Sequence, residues 1–152
     1  RVFVKHEVDG KGYELRLSEE SAGTQKLMGL AAFLLAALER GGTVVVDELD
    51  AKLHPKLLRY VILLFKDPEV NKHGAQLIFS SQDVSTMRND VFRRDEIWFA
   101  ARGEGEASQL WSLADIHEAN GNLVSKNAAF DKQSLSGRYG ADPYLTRIEE
   151  WD

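Results

Sequence analysis

The sequence predicts an α/β fold with a mainly parallel sheet flanked by helices, and three observations carry that expectation. Two short apolar runs, Thr43–Val46 and residues 75–80, lack polar alternation, the pattern of strands covered on both faces in a parallel sheet. Between them lies a segment with helical spacing of apolar residues, and a longer one precedes the first run. Strand, helix, strand with short connections is a βαβ unit, with a right-handed crossover.

The elements follow in order. Val2 and Val4, then Tyr13, Leu15 and Leu17, alternate with other residues around Asp9-Gly10-Lys11-Gly12, a turn signal that predicts an opening β-hairpin. Over residues 24–40, Leu27, Met28, Ala31, Leu34, Leu35 and Leu38 recur at helical spacing, and Gly41-Gly42 supplies the stop. After the 43–46 run, Pro55 suits the first turn of a second helix whose Leu57, Leu58, Val61, Ile62 and Phe65 form a buried stripe. Residues 96–101 and 109–113 read as two further strands joined by a turn at 103–107. Residues 117–140 are polar and weakly periodic, which predicts a long loop with one short helix.

Composition narrows the function classes. With 43% hydrophobic and 28% charged residues, the 152-residue chain holds material for one compact core. A formal charge of -5 argues against a surface that tracks nucleic acid throughout. Cysteine is absent, so disulfides, thiolate metal sites and cysteine nucleophiles are excluded, in keeping with a reducing cytosol. The apolar run at 27–38 is too short to cross a bilayer and lacks the flanks of a signal peptide, so no membrane role is indicated. The chain starts at Arg1 and enters a strand pattern directly, which reads as a piece of a longer protein. His6, His54, His73 and His117 share no ligand spacing. Trp98, Phe99, Trp111 and Tyr144 read as core aromatics rather than a base-stacking platform, and Arg88, Arg93 and Arg94 as a solvated basic face.

Three segments can carry chemistry. Val44-Val45-Val46-Asp47-Glu48 delivers adjacent carboxylates at a strand's C-terminal end, where α/β sheets place ligands. In nucleotide hydrolysis the first acid can hold Mg²⁺ and the second can polarise the attacking water. The plainer alternative is a helix-capping acid pair. Ser21-Ala22-Gly23-Thr24 precedes the long helix and places hydroxyls and unpaired N–H groups at its positive end, as an N-cap or as a phosphate-binding turn. Ser80-Ser81-Gln82-Asp83 ends the second strand, where Gln82 can donate to a phosphate oxygen or the segment can simply turn the chain.

In this order, the segments resemble the ABC-ATPase superfamily. Glu20-Ser21-Ala22-Gly23-Thr24 looks like the signature motif, Val44 to Glu48 like Walker B, and Leu49-Asp50-Ala51-Lys52-Leu53-His54-Pro55 like the D-loop, with Gln82 at the switch-histidine position. The run from Asp47 to Pro55, Gly74-Ala75-Gln76-Leu77-Ile78-Phe79-Ser80-Ser81-Gln82-Asp83 and Arg93-Arg94-Asp95-Glu96-Ile97-Trp98-Phe99 is similar to the AAA-type, ABC-like ATPases of bacterial abortive-infection and phage-defence systems. Their tail is echoed by Leu135-Ser136-Gly137-Arg138-Tyr139-Gly140-Ala141-Asp142-Pro143, so the resemblance runs from about residue 17 onward.

The resemblance implies the C-terminal lobe of a P-loop NTPase in one ABC-type domain: hairpin 1–17, signature loop and helix 18–42, Walker B, D-loop and switch-loop core 43–113, and tail 114–152. It implies ATP and Mg²⁺ as cofactors, a bacterial cytoplasmic setting, and a homodimer formed through composite nucleotide sites. Ser21, Gly23 and Thr24 would meet the partner's nucleotide, Asp47 would position Mg²⁺ directly or through water, and Glu48 would be the general base. Asp50 and His54 would lie along the dimer seam, and Gln82 would sense the γ-phosphate. An effector nuclease or a nucleic acid is the further partner such systems suggest.

Two departures stand out. Nothing matches G-x-x-x-x-G-K-[ST], so the Walker A loop is expected on a missing N-terminal segment and this chain alone is expected to be inactive. Gln82 stands where histidine is usual, and a neutral amide neither becomes a cation nor relays a proton. That departure keeps open an ATP-dependent dimerisation clamp with little hydrolysis, beside a purely structural module whose acids cap helices.

Overall fold

A two-residue turn starts the fold. In the computed structural model, which describes residues 2–102, 107–118 and 121–140, β1 (Phe3–Val8) pairs antiparallel with β2 (Lys11–Arg16), and Val8 faces Lys11 across the loop. Asp9 and Gly10 both have positive φ, 51° and 74°. This is the geometry of a turn whose twist matches the flanking strands, and Asp-Gly adopts it readily.

The chain divides into two compact units, Arg1–Gln82 and Asp83–Asp152. In the first, the hairpin leads into α1 (Ala22–Arg40), which starts at Ser21 and ends where Gly41 turns left-handed at φ 73°. The Gly41 N–H donates to the Ala37 carbonyl at 2.8 Å, and a Cβ here would stand 2.3 Å from the His73 carbonyl oxygen. Only glycine fits that stop. Next come β3 (Thr43–Val46), α2 (Pro55–Lys66) and β4 (Gln76–Phe79), with β3 and β4 parallel and in register from Thr43↔Gln76 to Val46↔Phe79. The predicted βαβ order and both helices are present.

Three expectations need correction. The described residues form three separate two-stranded sheets, and only β3–β4 is parallel, so parallel pairing is real but does not extend into a mainly parallel sheet. Nor are β3 and β4 covered on both faces. Val44, like Leu64 and Phe65 of α2, packs against the buried cluster of Ala37, Leu38 and Ala75, whereas Val45 and Ile78, pointing the other way, are 73% and 56% exposed. An apolar run without alternation has no period to show which face is open. Finally, α1 buries Leu34, Ala37 and Leu38, while Met28 and Leu35 of the expected stripe are exposed.

The second unit centres on β5 (Trp98–Arg102) and β6 (Ser108–Ser112), an antiparallel pair. The first strand starts later than expected because residues 94–96 form a 3-10 turn, closed by the Arg93 N–H donating to Glu96 Oε2 at 2.7 Å. Residues 103–106 of the expected turn and Tyr144 lie outside the described residues. The long polar segment contains the one short helix foreseen, α3 (Phe130–Leu135). Ile97, Phe99, Leu113, Val124, Phe130 and Tyr139 form the core, with the Phe99 ring 6.0 Å from Trp111 and 5.3 Å from Tyr139 between centroids. Phe99 and Trp111 are thus packing residues, and Trp98 is exposed. Burial pushes the Tyr139 phenol up to about 12, and its hydroxyl donates to Gln133 Oε1 at 2.6 Å.

Candidate functional site

The ends of β3 and β4 converge through Ser80. Its N–H extends the parallel ladder by donating to the Val46 carbonyl at 3.1 Å, and its own carbonyl accepts from the Leu49 N–H at 3.0 Å. The Ser80 hydroxyl donates to Asp47 Oδ1 at 2.5 Å and accepts from the Glu48 N–H at 2.7 Å. One serine therefore sets both the carboxylate of Asp47 and the backbone of Glu48. Gln82, two residues on, donates from its amide to Glu48 Oε1 at 3.4 Å and from its backbone to Asp50 Oδ2 at 3.3 Å. Asp47, Glu48, Asp50 and Gln82 thus share one strand-end cluster.

The loop is built under constraint. Glu48 has φ 49°, a left-handed conformation that is uncommon for a residue with a Cβ, costs about 1–3 kcal/mol and persists only where its surroundings enforce it. Three contacts enforce it: the Glu48 N–H on Ser80, the Ala51 N–H donating to the Glu48 carbonyl at 3.1 Å, and the Lys26 ammonium donating to that same carbonyl at 2.5 Å. Between the acids, Leu49 is wholly buried and anchors the loop.

The start of α1 reaches this loop as well. Ser21 caps the helix, its Oγ accepting from the Thr24 N–H at 3.1 Å and lying 2.9 Å from Thr24 Oγ1. The Ala22 and Gly23 N–H groups of the first turn have no intrahelical acceptor. Gly23 runs so close to the acids' loop that a Cβ would stand 2.7 Å from the Lys52 carbonyl oxygen. A shallow depression lined by Ala22, Gln25, Lys26, Ala51 and Lys52 marks this contact. Behind the helix start, Glu20 Oε1 lies 2.5 Å from His6 Nε2 of the hairpin.

His54 sits at the N-cap of α2, where its Nδ1 accepts from the Lys56 N–H at 3.1 Å and Pro55 follows at the first helical position. That is a structural duty beside any other. Arg88 bonds Asp90, and Arg93 bonds Asp95. Those carboxylates raise the pKa of both guanidiniums and offset their charge, which agrees with the solvated-face expectation for these two, whereas Arg94 is half-buried and its guanidinium donates to the Val124 carbonyl. Among the described residues no group of three or more His, Cys, Asp or Glu is placed to hold a metal. Also among them, no helix is long and apolar enough to cross a membrane.

Sequence reasoning missed Ser80 and Lys26. In the sequence Ser80 belongs to a turn signal, yet its place directly after β4 and opposite Asp47 is implied once the two strands are paired in register. Lys26 gave no signal beyond its charge, because its partner lies 22 positions away.

A cluster of acids and a glutamine thus lies at the carboxyl ends of two parallel strands, where α/β sheets place their ligands, beside the capped start of a long helix. The chain matches the family model described as AAA domain, putative AbiEii toxin, Type IV TA system, over residues 2–88. That is more than half of its length, and the chain belongs to this family. It carries an AAA-type, ATPase-like domain of the toxin–antitoxin and abortive-infection kind. No curated protein matches the sequence.

Proposed function

We propose that this chain is the C-terminal lobe of an ABC-type ATPase head that binds ATP with Mg²⁺ at a composite site between two copies and hydrolyses it, driving or sensing a step in bacterial defence. The observation that carries the reading is the chain of contacts Asp47–Ser80–Glu48–Gln82 at the adjoining ends of two parallel strands. Glu48 is assigned as the base, accepting a proton from the attacking water, and Gln82 orients that water or the γ-phosphate through its amide. Ser21, Gly23 and Thr24 at the start of α1 meet the nucleotide of the second copy, where unpaired N–H groups and the helix dipole favour phosphate. Asp50 and His54 lie toward the same seam. A G-x-x-x-x-G-K-[ST] loop does not occur in the sequence, so the phosphate cradle would come from another segment.

The donor set suits Mg²⁺. Asp47 commits one oxygen to Ser80, which leaves the other for a hard cation. Mg²⁺ is commonly held by one or two carboxylates plus phosphate and water rather than by an all-protein cage. Bound there, it would neutralise charge developing on the phosphates.

The test uses full-length protein. Glu48→Gln should retain ATP binding, stop phosphate release and trap an ATP-bound dimer, whereas Ser21→Arg should impair dimerisation and spare nucleotide affinity. Sedimentation with and without ATP, beside phosphate release, reads both. Wild-type turnover in Glu48→Gln removes Glu48 as the base. The neutral Gln82 favours a second reading, a clamp that dimerises on ATP with little turnover; wild-type protein that dimerises yet hydrolyses no faster than Glu48→Gln would select it.

A further inference from the structure

Lys26 is half-buried, one and a half turns into α1, and donates to the backbone carbonyl of Glu48 rather than to a carboxylate. The carbonyl belongs to the one residue of the strand-end cluster that holds a left-handed backbone. It also accepts from the Ala51 N–H, so the ammonium and the amide together fix the peptide that follows Glu48. Lys26 lines the depression shared with Ala51 and Lys52, and Gly23 brings the helix within backbone contact of the same loop. The first turns of α1 and the acids' loop are therefore joined at two points, one steric and one charge-assisted.

We propose that Lys26 is a positioning residue. It holds the Glu48 backbone in the conformation that turns the carboxylate toward Gln82, and it ties that backbone to the helix that Ser21 caps. The proposal rests on the functional reading above for the roles of Glu48 and Ser21, but the link itself is a property of this chain.

The experiment compares Lys26→Met, which keeps the apolar stem and removes the ammonium, with Lys26→Arg, which restores a cation, in the full-length protein. The expected result for Lys26→Met is kcat lower by roughly 10- to 100-fold with KM and ATP-dependent dimerisation unchanged, since a small misplacement of a reacting group suffices for such a loss. Lys26→Arg should recover most of the rate. Independently of turnover, amide hydrogen exchange at Glu48 and Ala51 should quicken in Lys26→Met and return toward wild type in Lys26→Arg. Unchanged exchange at both amides in Lys26→Met overturns the proposal, whatever the rates. So does a Lys26→Met enzyme with wild-type kcat beside an inactive Glu48→Gln. If Glu48→Gln hydrolyses normally while exchange responds to Lys26, the positioning contact stands and the assignment of Glu48 as base is what fails.

Discussion

Ser80 and Asp47 face each other across the parallel pair, the serine hydroxyl donating to the carboxylate at 2.5 Å while its lone pair accepts the Glu48 N–H at 2.7 Å. The hydroxyl is the only kind of side chain of this size that can do both, since it offers one donor and two acceptor sites.

Ser80→Ala should therefore act on metal use before it acts on stability. The group is exposed, so the loss in folding free energy should be about 1 kcal/mol. Asp47, no longer held, should raise the Mg²⁺ concentration needed for half-maximal ATP hydrolysis by the full-length protein, and kcat should fall roughly tenfold. A Mg²⁺ titration of phosphate release checks it, and a curve superimposable on wild type would remove Ser80 from the site.

Gly23→Ala tests a steric claim. A methyl group 2.7 Å from the Lys52 carbonyl oxygen cannot be accommodated without movement of backbone, because the neighbour is not a side chain that can rotate away. A destabilisation of about 1–3 kcal/mol is expected, typical of overpacking at a rigid contact. Thermal unfolding measures it. Gly29, within the same helix, has open space around its would-be Cβ, so Gly29→Ala should be neutral or mildly stabilising and serves as the control.

Alkaline stability should report on Tyr139. A phenol raised to about 12 in the folded chain, against roughly 10 when unfolded, favours the folded state while it is neutral. Its contribution is whole below the unfolded value and is lost as the pH rises from there through the folded value. Tyrosinate absorbance should show one tyrosine ionising late, together with loss of tertiary structure around Phe99. Tyr139→Phe should cost about 1 kcal/mol at neutral pH by removing the bond to Gln133, and should abolish the late phase.

Local punctuation was legible in the sequence, and long-range reach was not. Asp9-Gly10 announces its hairpin, Ser21 and Gly41 bracket α1, and Pro55 opens α2, because each of these residues acts on its own backbone within a turn. The pairing of β3 with β4 follows from their matched apolar runs, and with it the meeting of Glu48 with Gln82. The open face at Val45 and Ile78 was hidden for the opposite reason, since uniform apolarity carries no facing information. The place of Ser80 opposite Asp47 follows from that same strand pairing, whereas the contact of Lys26, 22 positions from its partner, has no such local guide. Such contacts depend on how elements pack, which no short window records.

Leu49 has one more consequence. With no exposed surface and with charged residues on either side, it pins the acids' loop into the core as a peg pins a hinge plate. The loop cannot swing without lifting that side chain into water, a transfer worth about 1.5–3 kcal/mol. The entropy of ordering its backbone is therefore lost when the chain folds rather than when a ligand arrives. On the proposed reading, a nucleotide would meet a loop whose backbone is already set when it arrives.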